Sequence, residues 1–516
     1  MSKRDLFASA ASFSILIYLY VKSRNRANLG LPLPPGPKKL PLIGNLLDMP
    51  SSLEWETYHK WCEEHNSDII HLDVAGTSIV VLDTSEAVTE LLERRSSLYS
   101  GRARLPMINE LMGWDFNFGF MPYGDHWRRH RRLMHQNFHP SAATRFRPHE
   151  LKATHNLLQR LLDDPGVDGL IGHLRHMAGG TIISIAYGIE VLPENDPYIE
   201  GAESAIKPLV TAGVPGTFLV DAFPFLKYVP DWFPFAGFKR KAKEWRELSQ
   251  AMVEVPFKVA KQKIMDGDSI PSFTSYCLEK MDDNGDLAYQ ESVIRSTAGT
   301  MYAAASDTTV SAIASCILGL MTNPHILKKA QQEIDGVVGY GKLPDFDDEH
   351  SLPYITAIIK EALRWRDVVP IAIPHLASVE DEYKGYRIPA GSIVIPNAWA
   401  MLHNESVYPD PFTFNPDRFM KDGKLNPAVR DPDHAAFGFG RRACPGRYMA
   451  ISAIWITIAS IIAAFDITKP IDEKGQVIEP SHEYISELVC MPLPFKCTLK
   501  PRSKEVEKAI RTTSLL

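Results

Sequence analysis

Cysteine is scarce in this 516-residue chain: Cys62, Cys277, Cys316, Cys444, Cys490 and Cys497 are the whole set, and they form no close-spaced ladder. That argues against a disulfide framework and for a reducing compartment, and it leaves no short Cys/His spacing for a zinc site. Positive charge is not in excess either. The formal net charge is −6, which speaks against nucleic acid as a partner. No internal repeat and no long low-complexity tract divides residues 46–516, and strand signals are few. What is present is 45% apolar and 23% charged residues, the balance of a globular chain able to bury a large core.

The N-terminus departs from that balance. Leu6–Val21, "LFASAASFSILIYLYV", is an uncharged run slightly short of a comfortable bilayer span. Lys22, Arg24 and Arg26 follow it, and no small-residue cleavage site intervenes. The excess of positive charge on that side predicts a signal anchor over residues 1–28, with the body in the cytosol; a docked amphipathic helix is the plainer alternative. Residues 29–45 carry prolines at 32, 34, 35, 37 and 41, which forbid continuous helix and predict a semi-rigid hinge.

Residues 46–516 read as one large body, mainly α with a minor β-sheet. Asp68–Asp83 predicts a hairpin around Ala75-Gly76, and Tyr383–Pro396 a second hairpin. Helical spacing runs through Glu150–Asp163, Phe238–Asp266, Tyr289–Met321 and Tyr354–Trp365. A long loop, Met420–Cys444, precedes the apolar stretch "RYMAISAIWITIASIIAAF", which reads as a buried helix. Loops of that length inside a compact domain are usually functional.

Cys444 closes this loop, after Gly438 and Gly440 and before Pro445-Gly446. Glycines there permit tight turns and close approach to a flat ligand, and the helix that follows favours a thiolate at its N-terminus. A lone cysteine is nevertheless more often a small buried hydrophobe. The full spacing decides the matter: Phe437-x-x-Gly440-x-Arg442-x-Cys444-x-Gly446 resembles the haem-ligand loop of the cytochrome P450 family, the haem-thiolate monooxygenases. The resemblance implies haem b with Cys444 as the axial thiolate of its iron.

Further signatures of that family stand in the expected order. Glu361 and Arg364 share a helix face at i, i+3, and as an isolated surface pair would contribute little. They match the family's Glu-x-x-Arg, and Arg418 in "FNPDRF" matches the arginine completing its buried ionic triad. Trp127 and Arg131 match the Trp-x-x-x-Arg whose side chains reach the haem propionates, and Arg442 and His375 are implied as further propionate contacts. Ser306-Asp307-Thr308-Thr309 interrupts a long apolar helix, and burying such polar groups costs free energy. A single mid-helix threonine commonly bonds back to the i−4 carbonyl, here that of Ala304 for Thr308. By resemblance, Thr308 hydrogen-bonds the activated oxygen and Asp307 relays protons through water. Ala305 replaces the family's usual glycine, a change expected to narrow the groove.

The resemblance covers essentially the whole chain. It implies the cytochrome P450 fold over residues 46–516 and insertion of one atom of O2 into a lipophilic small molecule. Electrons would come from NADPH through a separate cytochrome P450 reductase, with cytochrome b5 as a candidate second donor, because no flavin or nicotinamide segment is fused here. The implied location is the endoplasmic reticulum membrane, and the sequence is most similar in style to basidiomycete members that oxidise secondary metabolites or xenobiotics. Arg128, Arg129, Arg132, Arg441 and Arg447 are candidates for a basic surface steering an acidic redox partner. Candidate substrate-facing stretches are Leu105–Met121, Val210–Leu226, Met301–Ala304, Val368–Pro374 and Leu488–Met491, all apolar. Two rival readings keep the haem: a peroxide isomerase or dehydratase needing no reductase, and a non-enzymatic haem binder. The sequon Asn404-Glu405-Ser406 is expected to go unused on the cytosolic side.

Overall fold

Each stretch that apolar spacing marks as helical is a helix in the structure. The computed structural model describes residues 30–164, 169–214, 216–234 and 236–513; the predicted anchor Leu6–Val21 lies outside the described residues. The helices that frame the site are α1 (Asp125–Phe138), α2 (Arg147–Asp163), α3 (Leu170–Tyr187), α4 (Pro197–Ala212), α5 (Gly237–Met265), α6 (Phe273–Glu279), α7 (Leu287–Thr322), α8 (Pro353–Trp365) and α9 (Arg447–Ala464).

Helix α7 is the axis of the body, 36 residues long and so about 54 Å from end to end. Asp286 starts it by accepting the Tyr289 N–H at 3.0 Å, and Asn323-Pro324 ends it. Thr297–Tyr302 and Val310–Met321 are buried on every side, whereas Ala303–Thr309 between them stays accessible. It packs against α1, α3, α5, α8 and α9. Helix α9 is likewise buried all round from Ala453 to Ala464. Both helices are long and apolar enough to cross a bilayer, but 67% and 78% of their apolar windows lie inside the protein, which makes them core helices.

One four-stranded sheet lies to the side, in the order β1 (Ile69–Val74), β2 (Thr77–Leu82), β4 (Ile393–Pro396), β3 (His375–Leu376). The first predicted hairpin is present, with Val74 opposite Thr77 and positive φ at Ala75 (48°) and Gly76 (90°), as a two-residue turn requires. The second is a correction. Tyr386–Ile388 pairs back with Asp381–Tyr383 around Lys384-Gly385, while Ile393–Pro396 leaves to run parallel to β2. Pro389 and the buried Val394-Ile395-Pro396 explain the split: those side chains find their apolar cover against β2.

The described part of the proline-rich segment is docked along the body. The Pro35 carbonyl accepts the His71 N–H at 2.8 Å, the Pro32 carbonyl accepts the Arg387 N–H at 2.8 Å, and Gly44 bridges to Val74.

Candidate active site

The loop ahead of α9 is built on two glycines with positive φ, Gly438 (71°) and Gly440 (56°). A Cβ at Gly440 would stand 2.1 Å from the Leu92 carbonyl oxygen, so no other residue fits without moving that backbone. The Gly440 N–H donates to Glu93 Oε1 at 2.7 Å, and the Cys444 N–H donates to the Phe437 carbonyl at 2.7 Å, which folds the loop back on itself. Gly446 has an ordinary φ of −92° and open space where a side chain would project. Cys444 thus sits at the head of α9. Burial pushes its thiol up from the ordinary value, while the Gly446 and Arg447 N–H groups and the Arg131 and Arg447 cations favour the thiolate. All six cysteines are free.

Around the loop the structure gathers three arginines. Arg442 is buried and donates to the carbonyls of Ser100 (2.8 Å), Phe118 (3.2 Å) and Met121 (2.8 Å), with its guanidinium 4.5 Å from the Trp127 ring centroid. Arg131 is half-buried, within Coulombic range of Cys444 and Arg442. The third, Arg102, was missed by sequence reasoning. It donates to the carbonyls of Gly119 (3.0 Å), Ile373 (2.7 Å) and Pro374 (2.9 Å) and depresses the neighbouring His375. No motif marks it, because its partners are brought together only in space. His375 is buried with Nδ1 2.7 Å from the Tyr99 carbonyl, and burial holds it well below the usual imidazole range. Burial and mutual repulsion push Arg442 down to about 9 and lower Arg102 as well.

Among the described residues no carboxylate pairs with Arg102, Arg131 or Arg442, and the buried Trp127 Nε1 has no partner. Clustered buried cations and an orphaned donor suit the carboxylates of an anionic ligand. No group of three or more His, Cys, Asp or Glu among the described residues could hold a bare metal ion. The residues present therefore fit haem: Cys444 for the iron, Trp127, Arg131 and their neighbours for the propionates, and Gly446 for the flat face.

The predicted ionic triad is assembled. Arg364 donates Nε and Nη2 to the two Glu361 oxygens, both at 2.9 Å, and Arg418 Nε donates to Oε2 at 3.0 Å. The Asn415 N–H completes Glu361 at 2.8 Å, and the remaining guanidinium donors reach the carbonyls of Leu402, Pro409, Asp410 and Thr413. These residues tie α8 to the chain ahead of the cysteine loop.

In α7 the Thr308 hydroxyl donates to the Ala304 carbonyl at 2.7 Å, the back-bond expected from its position. Its oxygen lone pairs remain free to accept. Asp307 Oδ1 lies 3.8 Å from Arg175 Nε, and burial raises its carboxyl while Arg175 lowers it. Glu203 from α4 and Arg175 from α3 line a small cavity with Ser306 and Asp307. Sequence reasoning named neither Arg175 nor Glu203, which stand more than a hundred residues upstream.

The apolar stretches converge. Met107, Phe118, Leu209, Val210, Val220 and Met301 belong to one buried cluster, against which Ala305, Ile373, Met449 and Leu488 pack partly exposed. The Tyr123 ring gathers Arg128 and Arg441 at 5.0 and 5.6 Å, and Arg128 also pairs with Asp125.

Known proteins are similar to this chain in sequence. The family profile described as cytochrome P450 matches residues 34–499. The chain is 49% identical over 513 residues to cytochrome P450 monooxygenase 98 of Postia placenta, covering 99% of this chain and 98% of that protein. It is 42% identical to the tryptamine 4-monooxygenase of Psilocybe cyanescens (93% and 94% covered) and 44% identical to cytochrome P450 monooxygenase ple1 of Rhodocybe pseudopiperita (94% and 92% covered). A match of that extent, over a haem-fitting site built on Cys444, places this chain in the cytochrome P450 family of haem-thiolate monooxygenases.

Proposed function

We propose that this monooxygenase inserts one oxygen atom from O2 into a lipophilic small molecule, with NADPH electrons delivered by a separate membrane-bound flavoprotein reductase. The observation that carries the reading is Cys444 at the head of α9, beside arginines that form no ion pair among the described residues, while α9 packs against the helix bearing Asp307 and Thr308. Bound at this site, haem supplies the one-electron and O2 chemistry, and a thiolate ligand favours O–O cleavage.

The chain's own groups do the rest. The Gly446 and Arg447 amides stabilise negative charge on Cys444 Sγ. Arg131 and the Trp127 N–H would hold the haem propionates. Thr308 Oγ1, already donating to Ala304, accepts a hydrogen bond from water in the accessible segment. Asp307 exchanges a proton there, its raised carboxyl moderated by Arg175. The converging apolar residues exclude water and select lipophilic substrates.

Terpenoids, indoles, steroids and polycyclic aromatics all belong to this class, and the tryptamine enzyme among the relatives makes indoles a natural first panel. Exposed Phe225 (66%), Tyr228 (76%) and Trp232 (80%) support contact with a membrane surface, as a body anchored at the endoplasmic reticulum through residues 1–28 would make. The Asp307-Thr308 pair disfavours a reductase-free peroxide isomerase.

The test is expression with a fungal reductase in yeast microsomes. NADPH-dependent product is expected, and the ferrous–CO complex should absorb where thiolate ligation places it. Cys444→Ala should abolish that band; full haem content and activity in Cys444→Ala would overturn the reading.

A further inference from the structure

Helix α1 has two working faces. Trp127, Arg131, Met134 and Phe138 point toward the haem-fitting site and the core; Arg129, Arg132, Leu133 and Gln136, at i, i+3, i+4 and i+7, line a cleft on the other side. We propose that this cleft binds a small phosphate-bearing anion, such as inorganic pyrophosphate or a nucleotide free in solution.

The cleft runs between α1, α6 and the first turns of α7, and its cavity of about 510 Å³ lies within the range of small-molecule sites. Arg129, Arg132, Arg145 and Lys280 line it, and among the described residues no carboxylate does. None of the four forms an ion pair among the described residues, although the chain as a whole is acidic. Three acids of the flanking segments are engaged elsewhere. Asp125 holds Arg128, Asp282 Oδ1 accepts the Asn284 N–H at 3.0 Å, and Asp286 Oδ1 accepts the Tyr289 N–H. Four like charges around one cavity repel one another, and a multivalent anion among them removes that cost.

Arg145 is the anchor of the site. Its guanidinium carbon lies 4.8 Å from the Phe146 ring centroid and 4.6 Å from that of Tyr276, and Nη2 donates to the Asn137 carbonyl at 3.2 Å and to Asn137 Oδ1. Nε is buried and has no partner among the described residues. A guanidinium fixed in this way loses little further freedom on gripping an anion, and its planar fork matches phosphate oxygens. Arg129 is similarly placed over Tyr289, at 5.3 Å.

The inference stands apart from the oxygenase reading, because binding is measured without turnover and its failure leaves that reading intact. The experiment is titration calorimetry on the full-length, haem-loaded protein at low ionic strength. Inorganic pyrophosphate and ADP are the soluble probes, vesicles containing phosphatidic acid test a lipid headgroup, and polyglutamate tests an acidic polypeptide. Saturable one-to-one binding of pyrophosphate or ADP is expected, weakened about ten-fold or more in the exposed double variant Arg132→Glu/Lys280→Glu. Arg145→Gln should weaken it similarly; if that half-buried position disturbs folding, the exposed double variant decides. Absence of saturable binding by both soluble probes, binding unchanged in the double variant, or binding confined to vesicles or polyglutamate would each overturn the proposal.

Discussion

Arg364 meets Glu361 edge to edge, Nε to Oε2 and Nη2 to Oε1, both at 2.9 Å, with both side chains fully buried. In that setting the i, i+3 pair has a different value from the same pair on a surface, because Arg418 and a backbone N–H share the same carboxylate. Removing Glu361 strands two buried guanidiniums.

Glu361→Ala is therefore expected to destabilise the protein by about 3–5 kcal/mol, the cost of leaving buried charge uncompensated. Thermal unfolding and the yield of haem-loaded protein measure it. A small change in both would show that the triad is a solvated ion pair.

Gly440→Ala should prevent the cysteine loop from closing, since the added Cβ meets the Leu92 carbonyl oxygen at 2.1 Å and φ there is +56°. We expect folded protein with little thiolate-ligated haem. Gly446→Ala serves as the comparison, because its Cβ meets no protein atom within 4 Å. Any loss there has to come from contact with the bound group.

Thr308→Ala keeps the helix, since only a side-chain back-bond to Ala304 is lost. Haem binding should persist while product formed per NADPH consumed falls several-fold. Unchanged coupling would remove Thr308 from the proton path.

Glu150 on α2 is buried and pushed up to about 8, mainly by burial, with Ser452 of α9 donating to Oε2 at 2.6 Å. Between its ordinary 4.5 and about 8 the folded protein holds a proton that the unfolded chain has released. The unfolded state then binds fewer protons, so stability falls as pH rises through this window. Glu150→Gln keeps the acceptor for Ser452 and abolishes this contribution. Its melting temperature should match the wild type at low pH and exceed it above pH 8. Parallel pH profiles for the two proteins would sink the assignment.

Much of this was legible before any fold was known. The period of apolar residues located α2, α5, α7, α8 and α9, since a helix buried on one or all faces must carry that pattern. Gly76 marked the turn, because positive φ is costly for residues that carry a Cβ. Tyr383–Pro396 misled: local alternation is the same whether a strand pairs with its neighbour or with β2, three hundred residues upstream.

The sequence by itself determined the chemistry: one cysteine in a glycine-bounded loop ahead of a buried helix, and an acid-threonine pair inside an apolar one. Those are choices of residue type, made locally and readable locally. Tertiary structure alone decided which charges are buried together. Arg102 beside His375, Arg175 beside Asp307 and Lys280 beside the arginines of the α1 cleft come from segments far apart in the chain. Charge interactions depend on distance and burial, and neither exists until the chain has folded.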